Sequence, residues 1–416
     1  MADRKPEISA APATSLLRNH GGGHAPVSYL ELFFDLVYAF AITQASHFLL
    51  MHPGWAGLLE GTLLFLAVWW AWVYTSWVAN WANPDRVPVR LLLLMVMFAS
   101  MVMAVAMPKA FETGAEDMGL VFALSYSGLQ VLRTLFMVWA MGRDERAAGI
   151  NMLRILAWFV ASAGFWLAGA LAEMSERRIT LWAIALAIEY LGPSQGYRVP
   201  FLGRSDPSEW RISGGHMAER CALFVIIALG EGIIVTGSSF AQLSHEPLRA
   251  IAFLLAFIGS VLMWWIYFDR GAARGAEHIE HHAEPGRIAR NAFTYLHMPI
   301  VAGIVITAVA DAILLANPAG PTSLRLVLFQ SIGLLVYVLG VGFFKSYSSD
   351  RGNFPVSHMA GLGVIAVTSL VACVRPPSAL AFVALTVAAL ALIAMWEWVS
   401  FHGGWRERFR TAFDGG

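Results

Sequence analysis

Twelve stretches of about twenty apolar residues, set apart by short polar, Gly or Pro punctuation, constrain this chain more than any other feature. A bilayer core about 30 Å thick is crossed by about 20 helical residues. Lipid offers the backbone no hydrogen-bond partner, so helices are the natural way to bury such runs. The pattern predicts spans at 29–50, 57–79, 89–107, 119–141, 151–172, 178–195, 218–240, 248–268, 291–316, 322–344, 356–374 and 378–400. The sixth is short and carries Glu189. The expected class is an all-α membrane protein with about twelve transmembrane helices. With 58% of its residues hydrophobic and 13% charged, the chain lies far from the roughly 45–50% and 25% of soluble domains.

Charge placement sets the orientation. Of 28 Lys and Arg residues, 21 fall on the side of the N-terminus and 6 on the other, with Arg133 inside the fourth span. Basic loops stay in the cytoplasm, so both termini are expected there, with the protein in the cytoplasmic (inner) membrane. Residues 1–28, rich in Gly, Ala and Pro, read as a flexible cytoplasmic tail, and residues 401–416 as a short one. Trp69, Trp70, Trp72, Tyr74, Trp77 and Trp81, with Trp396 and Trp398, predict an interfacial aromatic belt.

The two halves, 29–200 and 201–400, resemble each other weakly, as copies of one repeat or because Trp pairs recur by chance in aromatic-rich membrane helices. Asp35 precedes the Trp69–Trp70 pair by 34 residues, and Glu231 precedes Trp264–Trp265 by 33. Two six-helix repeats would be parallel, because an even number of spans preserves orientation, and transporters use such pairs with a pathway between them.

Ionisable residues in spans are costly, about 2.5–3.5 kcal/mol each on insertion scales, and are functional candidates by default. Glu31 and Asp35 are four apart and share a helix face, as a proton or cation site or as a hydrated interfacial pair. In the seventh span Glu219 and Arg220 open the helix, and Glu231 lies about mid-membrane between two glycines. Arg220 and Glu231, eleven residues apart, face the same way but are too distant to pair directly. Glu231 is the strongest single candidate, as a proton carrier or as a structural hydrogen-bonding acid. Arg133 is expected to pair with a carboxylate from Glu231, Glu189, Glu60 or Asp35. His297 lies beside Pro299, which favours a kink, and Asp311 follows on the same face; His297 is either a relay or a satisfied ring.

His278 and His282 have the i, i+4 spacing of two metal ligands, but the pattern is not HExxH and a hydrated polar helix end explains it better, so no metal or other cofactor is expected. Cys221 and Cys373 read as small buried hydrophobes. No phosphate loop, GxSxG elbow or GxGxxG turn is present, and the chain is not expected to be an enzyme. With zero net charge and no basic tract, the expected partners are the lipid bilayer and a small solute or proton, not nucleic acid. Nothing in the sequence sets an oligomeric state.

Ser28 to Ile42, reading SYLELFFDLVYAFAI, and the ERxALFVIIxLGE pattern from Glu219 to Glu231 closely resemble signatures of the bacterial low temperature requirement protein A family. The Trp pairs and Tyr295 to Gly303 are similar to it as well, and the resemblance covers roughly residues 25–400. It implies a multi-pass membrane protein, in a family named for growth in the cold. Gly232 after Glu231 departs from the serine the pattern leads one to expect, and Asp311 stands where glutamate is expected; both departures keep the acid. The resemblance itself names no activity; the twelve spans, the repeat and the acids in equivalent positions point to a proton-coupled secondary transporter of an unknown solute. The alternative is a non-transporting membrane factor in cold or stress adaptation or lipid handling.

Overall fold

The computed structural model describes residues 15–18, 26–205, 212–244, 246–269, 290–349 and 352–401. Twelve long α-helices account for nearly all of them: α1 Tyr29–Met51, α2 Trp55–Trp81, α3 Val87–Ala106, α4 Gly119–Asp144, α5 Arg146–Ala170, α6 Ser175–Leu191, α7 Gly214–Gln242, α8 Pro247–Phe268, α9 His297–Ala316, α10 Leu324–Tyr347, α11 Val356–Val374 and α12 Ala379–Phe401. No strand occurs among the described residues, only isolated bridges. Eleven helices are long and apolar enough to cross a membrane. The exception is α6, whose 17 residues reach about 25 Å, roughly a turn less than a typical bilayer core.

The ends of the helices follow local chemistry. Pro247 opens α8 at a position where its missing N–H costs nothing. Ser323 caps α10, its hydroxyl accepting from the Leu326 amide at 3.2 Å. The first helix begins with a capping box: Ser28 Oγ accepts from the Glu31 amide at 3.3 Å, and a Glu31 carboxylate oxygen accepts from the Ser28 amide at 2.7 Å. Before α9 runs a wider π-helical turn, Arg290–Leu296. It lies where Pro299 has no N–H to offer the Tyr295 carbonyl in the α register. The expected break at Pro299 thus takes the form of a change of helical register.

These helices are apolar on both faces. On α3, Leu91, Met95, Phe98, Met101 and Val105 are exposed at three- to four-residue spacing, while Val89, Leu92, Leu93, Val96 and Met103 are buried. A soluble helix would carry charges on the first of these stripes. Here the outer stripe is suited to lipid. Cys373 also lies on an exposed face, unlike the buried Cys221, so only one of the two cysteines is the buried small residue expected.

The chain gathers into two compact units. One contains nearly all of α1, α2 to α6 and the beginning of α7 as far as Arg220; the other contains α7 from Cys221 onward and α8 to α12. The interior of the first unit is aromatic. Trp69, Trp70, Trp72, Trp166 and Trp182 are all less than 2% exposed. Trp70 stacks on Tyr190 at 4.0 Å between ring centres. The expected interfacial belt is therefore corrected at Trp69, Trp70 and Trp72. These rings fill the space between helices, and the Trp72 indole N–H finds a buried acceptor there. Trp264 and Trp265, at 46% and 40% exposed, face outward, so the two Trp pairs occupy different environments.

In the second unit Gly303 of α9 lies against α10. A Cβ at that position would come within 2.6 Å of the Tyr337 amide nitrogen and 2.7 Å of the Gly333 carbonyl. Small residues here let two backbones approach as membrane helices commonly do.

Part of the expected N-terminal tail is tied down. The Arg18 amide donates to the Trp81 carbonyl at 2.7 Å, and the Asn83 amide donates to the Leu16 carbonyl at 2.8 Å. The described residues 15–18 thus run antiparallel to the end of α2.

Candidate functional site

The richest polar cluster lies within the first unit, on α1, α2 and the first turns of α7. Glu31 and Asp35 project from one face of α1 and are 1% and 0% exposed. Arg220 Nη2 donates to Asp35 Oδ1 at 2.8 Å and to Ser76 Oγ at 3.1 Å. Its Nη1 lies 4.0 Å from Glu31 Oε1, so one guanidinium sits between two carboxylates. The Trp72 indole donates to the same Asp35 oxygen at 2.8 Å. Arg220 also packs against the rings of Phe34 and Trp72, 5.5 and 5.9 Å from their centres. A delocalised cation between aromatic faces loses less on leaving water than a point charge does.

Glu31 is the hub. Besides capping its own helix it accepts from Arg18 Nη2 at 2.9 Å and contacts His216 Nε2 at 2.8 Å. The other nitrogen of His216 lies 3.3 Å from the Asn80 amide, which itself donates to the Ser213 carbonyl at 2.9 Å. Glu219, next to Arg220, is half-buried and accepts from the Val27 amide at 3.3 Å. The cluster is not fully satisfied. Asp35 Oδ2 and Arg220 Nε and Nη1 are buried and make no hydrogen bond, a state that buried polar groups rarely keep without a reason.

A second network runs deeper in the same unit. Arg133, 0% exposed, donates from Nη1 to Thr75 Oγ1 at 2.8 Å and to the Ala71 carbonyl at 3.2 Å, and from Nη2 to Gln130. Gln130 donates to the Tyr126 hydroxyl at 3.1 Å, and Tyr126 donates to Glu189. Ser162 and Trp166 add donors to Glu189 at 2.7 and 3.0 Å. The expected carboxylate partner of Arg133 is corrected: among the described residues no carboxylate lies within ion-pair distance. Neutral acceptors and the faces of Tyr74 and Phe159 surround the guanidinium. Hydrogen bonds link it to Glu189 by way of Gln130 and Tyr126.

The cluster's residues on α1 and α7 belong to a signature. The model of the bacterial low temperature requirement A protein matches residues 26–394. The chain belongs to this family. It is 39% identical over 388 residues to an uncharacterized protein of Rhizobium meliloti (strain 1021), covering 93% of this chain and 92% of that one. No solved structure matches it. Two well-separated parts of the signature meet in space here, Glu31 and Asp35 from Ser28–Ile42 with Arg220 from the ERxALFVIIxLGE segment.

The remaining candidates lie in the second unit. Glu231, further along α7, is 7% exposed, and Asp311 is 5% exposed. Of the two glycines beside Glu231, Gly232 faces a close neighbour, a Cβ there meeting Ala308 at 3.6 Å, while Gly230 faces open space. His297 is buried and engaged at both nitrogens, Nδ1 with the Ala292 carbonyl and Nε2 with the Tyr267 hydroxyl, each at 2.8 Å. A carbonyl only accepts, so Nδ1 carries the proton and Tyr267 donates to Nε2. Of the two readings of His297, this geometry favours the satisfied ring. The candidate metal ligands His278 and His282 lie outside the described residues. Among the described residues no group of three His, Cys, Asp or Glu is placed to hold a metal ion.

Three participants escaped the sequence reading. His216 precedes the apolar run of α7 and looked like loop. Lys345 falls just beyond the apolar run 322–344 and Glu397 lies near the end of α12, and the two pair at 2.7 Å. The usable signal was Glu397 itself, an acid inside a continuous apolar run.

Proposed function

We propose that this low temperature requirement A protein is a proton-coupled secondary transporter of a small solute in the cytoplasmic membrane, with Glu31, Asp35 and Glu231 as proton or cation carriers. The observation that carries this reading is the Asp35–Arg220 pair, fully buried between helices and left with unsatisfied atoms on both partners. An apolar pair of similar volume is often as stable or more so, so stability alone gives no reason to keep charges there. Protonation of Asp35 would release Arg220, leaving Glu31 and Ser76 as its remaining neighbours. Such a choice between two carboxylates gives one helix two discrete arrangements. Parallel six-helix repeats and cytoplasmic termini belong to the same proposal, supported by the spacing of acids and Trp pairs and by the distribution of Lys and Arg.

The alternative, a non-transporting factor in cold adaptation or lipid handling, is favoured by the dense satisfaction of Glu31, which holds together Arg18, the start of α1 and His216. Proton flux in proteoliposomes loaded with a pH-sensitive dye separates the two. The transporter reading expects flux triggered by a member of a solute pool and lost in folded Asp35→Asn and Glu231→Gln. Flux that survives in both variants removes these carboxylates from the path. Absence of flux, combined with unfolding of both variants, favours the structural alternative.

A further inference from the structure

The second unit holds a cluster that the proposed carriers do not use. Near the cytoplasmic side expected from the charge distribution, three helices bring together Lys345 of α10, His358 of α11 and Glu397 of α12. Lys345 Nζ lies 2.7 Å from Glu397 Oε2, and His358 Nδ1 lies 3.4 Å from Glu397 Oε1. Ser357 Oγ is 3.2 Å from the same imidazole nitrogen. The histidine is 0% exposed and its Nε2 makes no hydrogen bond. Lys345 retains 13% side-chain exposure.

A neutral imidazole that donates from Nδ1 towards Glu397 and Ser357 leaves a bare lone pair on Nε2. A carboxylate already in place on the far side of the ring stabilises the cation that forms when this lone pair takes a proton. The other groups around the cluster are few. The ring of Phe354 stands edge-on to His358 at 6.1 Å. Tyr337 of α10 donates its hydroxyl to the Met263 carbonyl. Asp269, just after α8, adds a negative charge acting on both Lys345 and Glu397.

We propose that His358, Glu397 and Lys345 form a second proton-binding site, in which His358 takes up one proton at Nε2 and Glu397 shifts from the ammonium towards the imidazolium. The balance is simple: a proton from water forms one N–H bond, no covalent bond breaks, and the charge of the trio rises from zero to plus one. Glu397 is the shared anion, so uptake loosens the contact between α10 and α12 as it tightens that between α11 and α12.

The test is an equilibrium one and does not depend on whether any solute crosses. Full-length protein with 15N-labelled histidine is placed in lipid nanodiscs, and the His358 signals are assigned by their loss in His358→Asn. Lowering the pH from about 8 to about 3 is expected to convert His358 from a neutral tautomer to an imidazolium, with a midpoint below the ordinary imidazole range because the ring is buried and the Lys345 ammonium opposes a second cation. Glu397→Gln should lower the midpoint by about one pH unit and Lys345→Met should raise it by about one, the size expected for a neighbouring charge. A His358 that stays neutral throughout overturns the proposal, as does a midpoint indifferent to both substitutions. Should Glu397→Gln fail to fold, the upward shift in Lys345→Met alone decides the matter.

Discussion

The interiors of the two units are built on different terms. Around α1, α2 and α7 the first unit buries Glu31, Asp35, His216 and Arg220 among tryptophan rings. In the second unit Ala310, Leu314, Leu315, Leu326, Val383 and Val387 form a core of aliphatic side chains. Aliphatic packing in a membrane carries little sense of partner, since lipid tails are as apolar as leucine. A charged pair does carry it, because each member is tolerable only beside the other. The charged cluster of the first unit thus specifies which helices meet, while this aliphatic core of the second relies on close fit.

Substitutions can break or sharpen this contrast. Arg220→Met should have the largest effect, about 3–5 kcal/mol, because it leaves the buried Asp35 carboxylate without its counter-charge; thermal unfolding in detergent measures it. Adding Asp35→Asn to that variant should restore at least part of the loss, and a double variant no better than the single one would break the comparison. Leu314→Ala, in the aliphatic core, should cost about 3 kcal/mol, and no second-site neutral substitution of a charged residue should recover it. Gly303→Ala must push α9 off α10 and should cost about 2 kcal/mol, read as a lowered unfolding temperature with an unchanged helical signal. Trp72→Phe keeps most of the ring and removes one donor to Asp35, so about 1.5 kcal/mol is expected.

How far these differences were legible in the sequence depends on their range. The spans could be read because lipid imposes length and hydropathy on each helix separately; α11 starts and ends where the apolar run 356–374 does. The acids of α1 could be read as a pair because spacing along one helix fixes a common face. The capping box was written in the sequence too, as Ser28 followed three residues later by Glu31. Partners could not be read. Arg220 finds Asp35 across 185 residues of sequence, and no local rule selects it over Glu231 on its own helix. Arg133 misled for a related reason: a buried guanidinium suggests a carboxylate, but neutral acceptors and ring faces met the same need. The tryptophans of α2 misled because a belt and a core differ in depth and not in composition.

The reach of the Arg220–Asp35 pair also has a consequence for biosynthesis. A ribosome adding about 5–20 residues per second makes Asp35 roughly ten to forty seconds before Arg220. Through that interval Asp35 and Glu31 must either stay near the headgroups or carry protons. The first helix therefore gains the charged partner of Asp35 only when the seventh arrives, although it is the first to leave the ribosome.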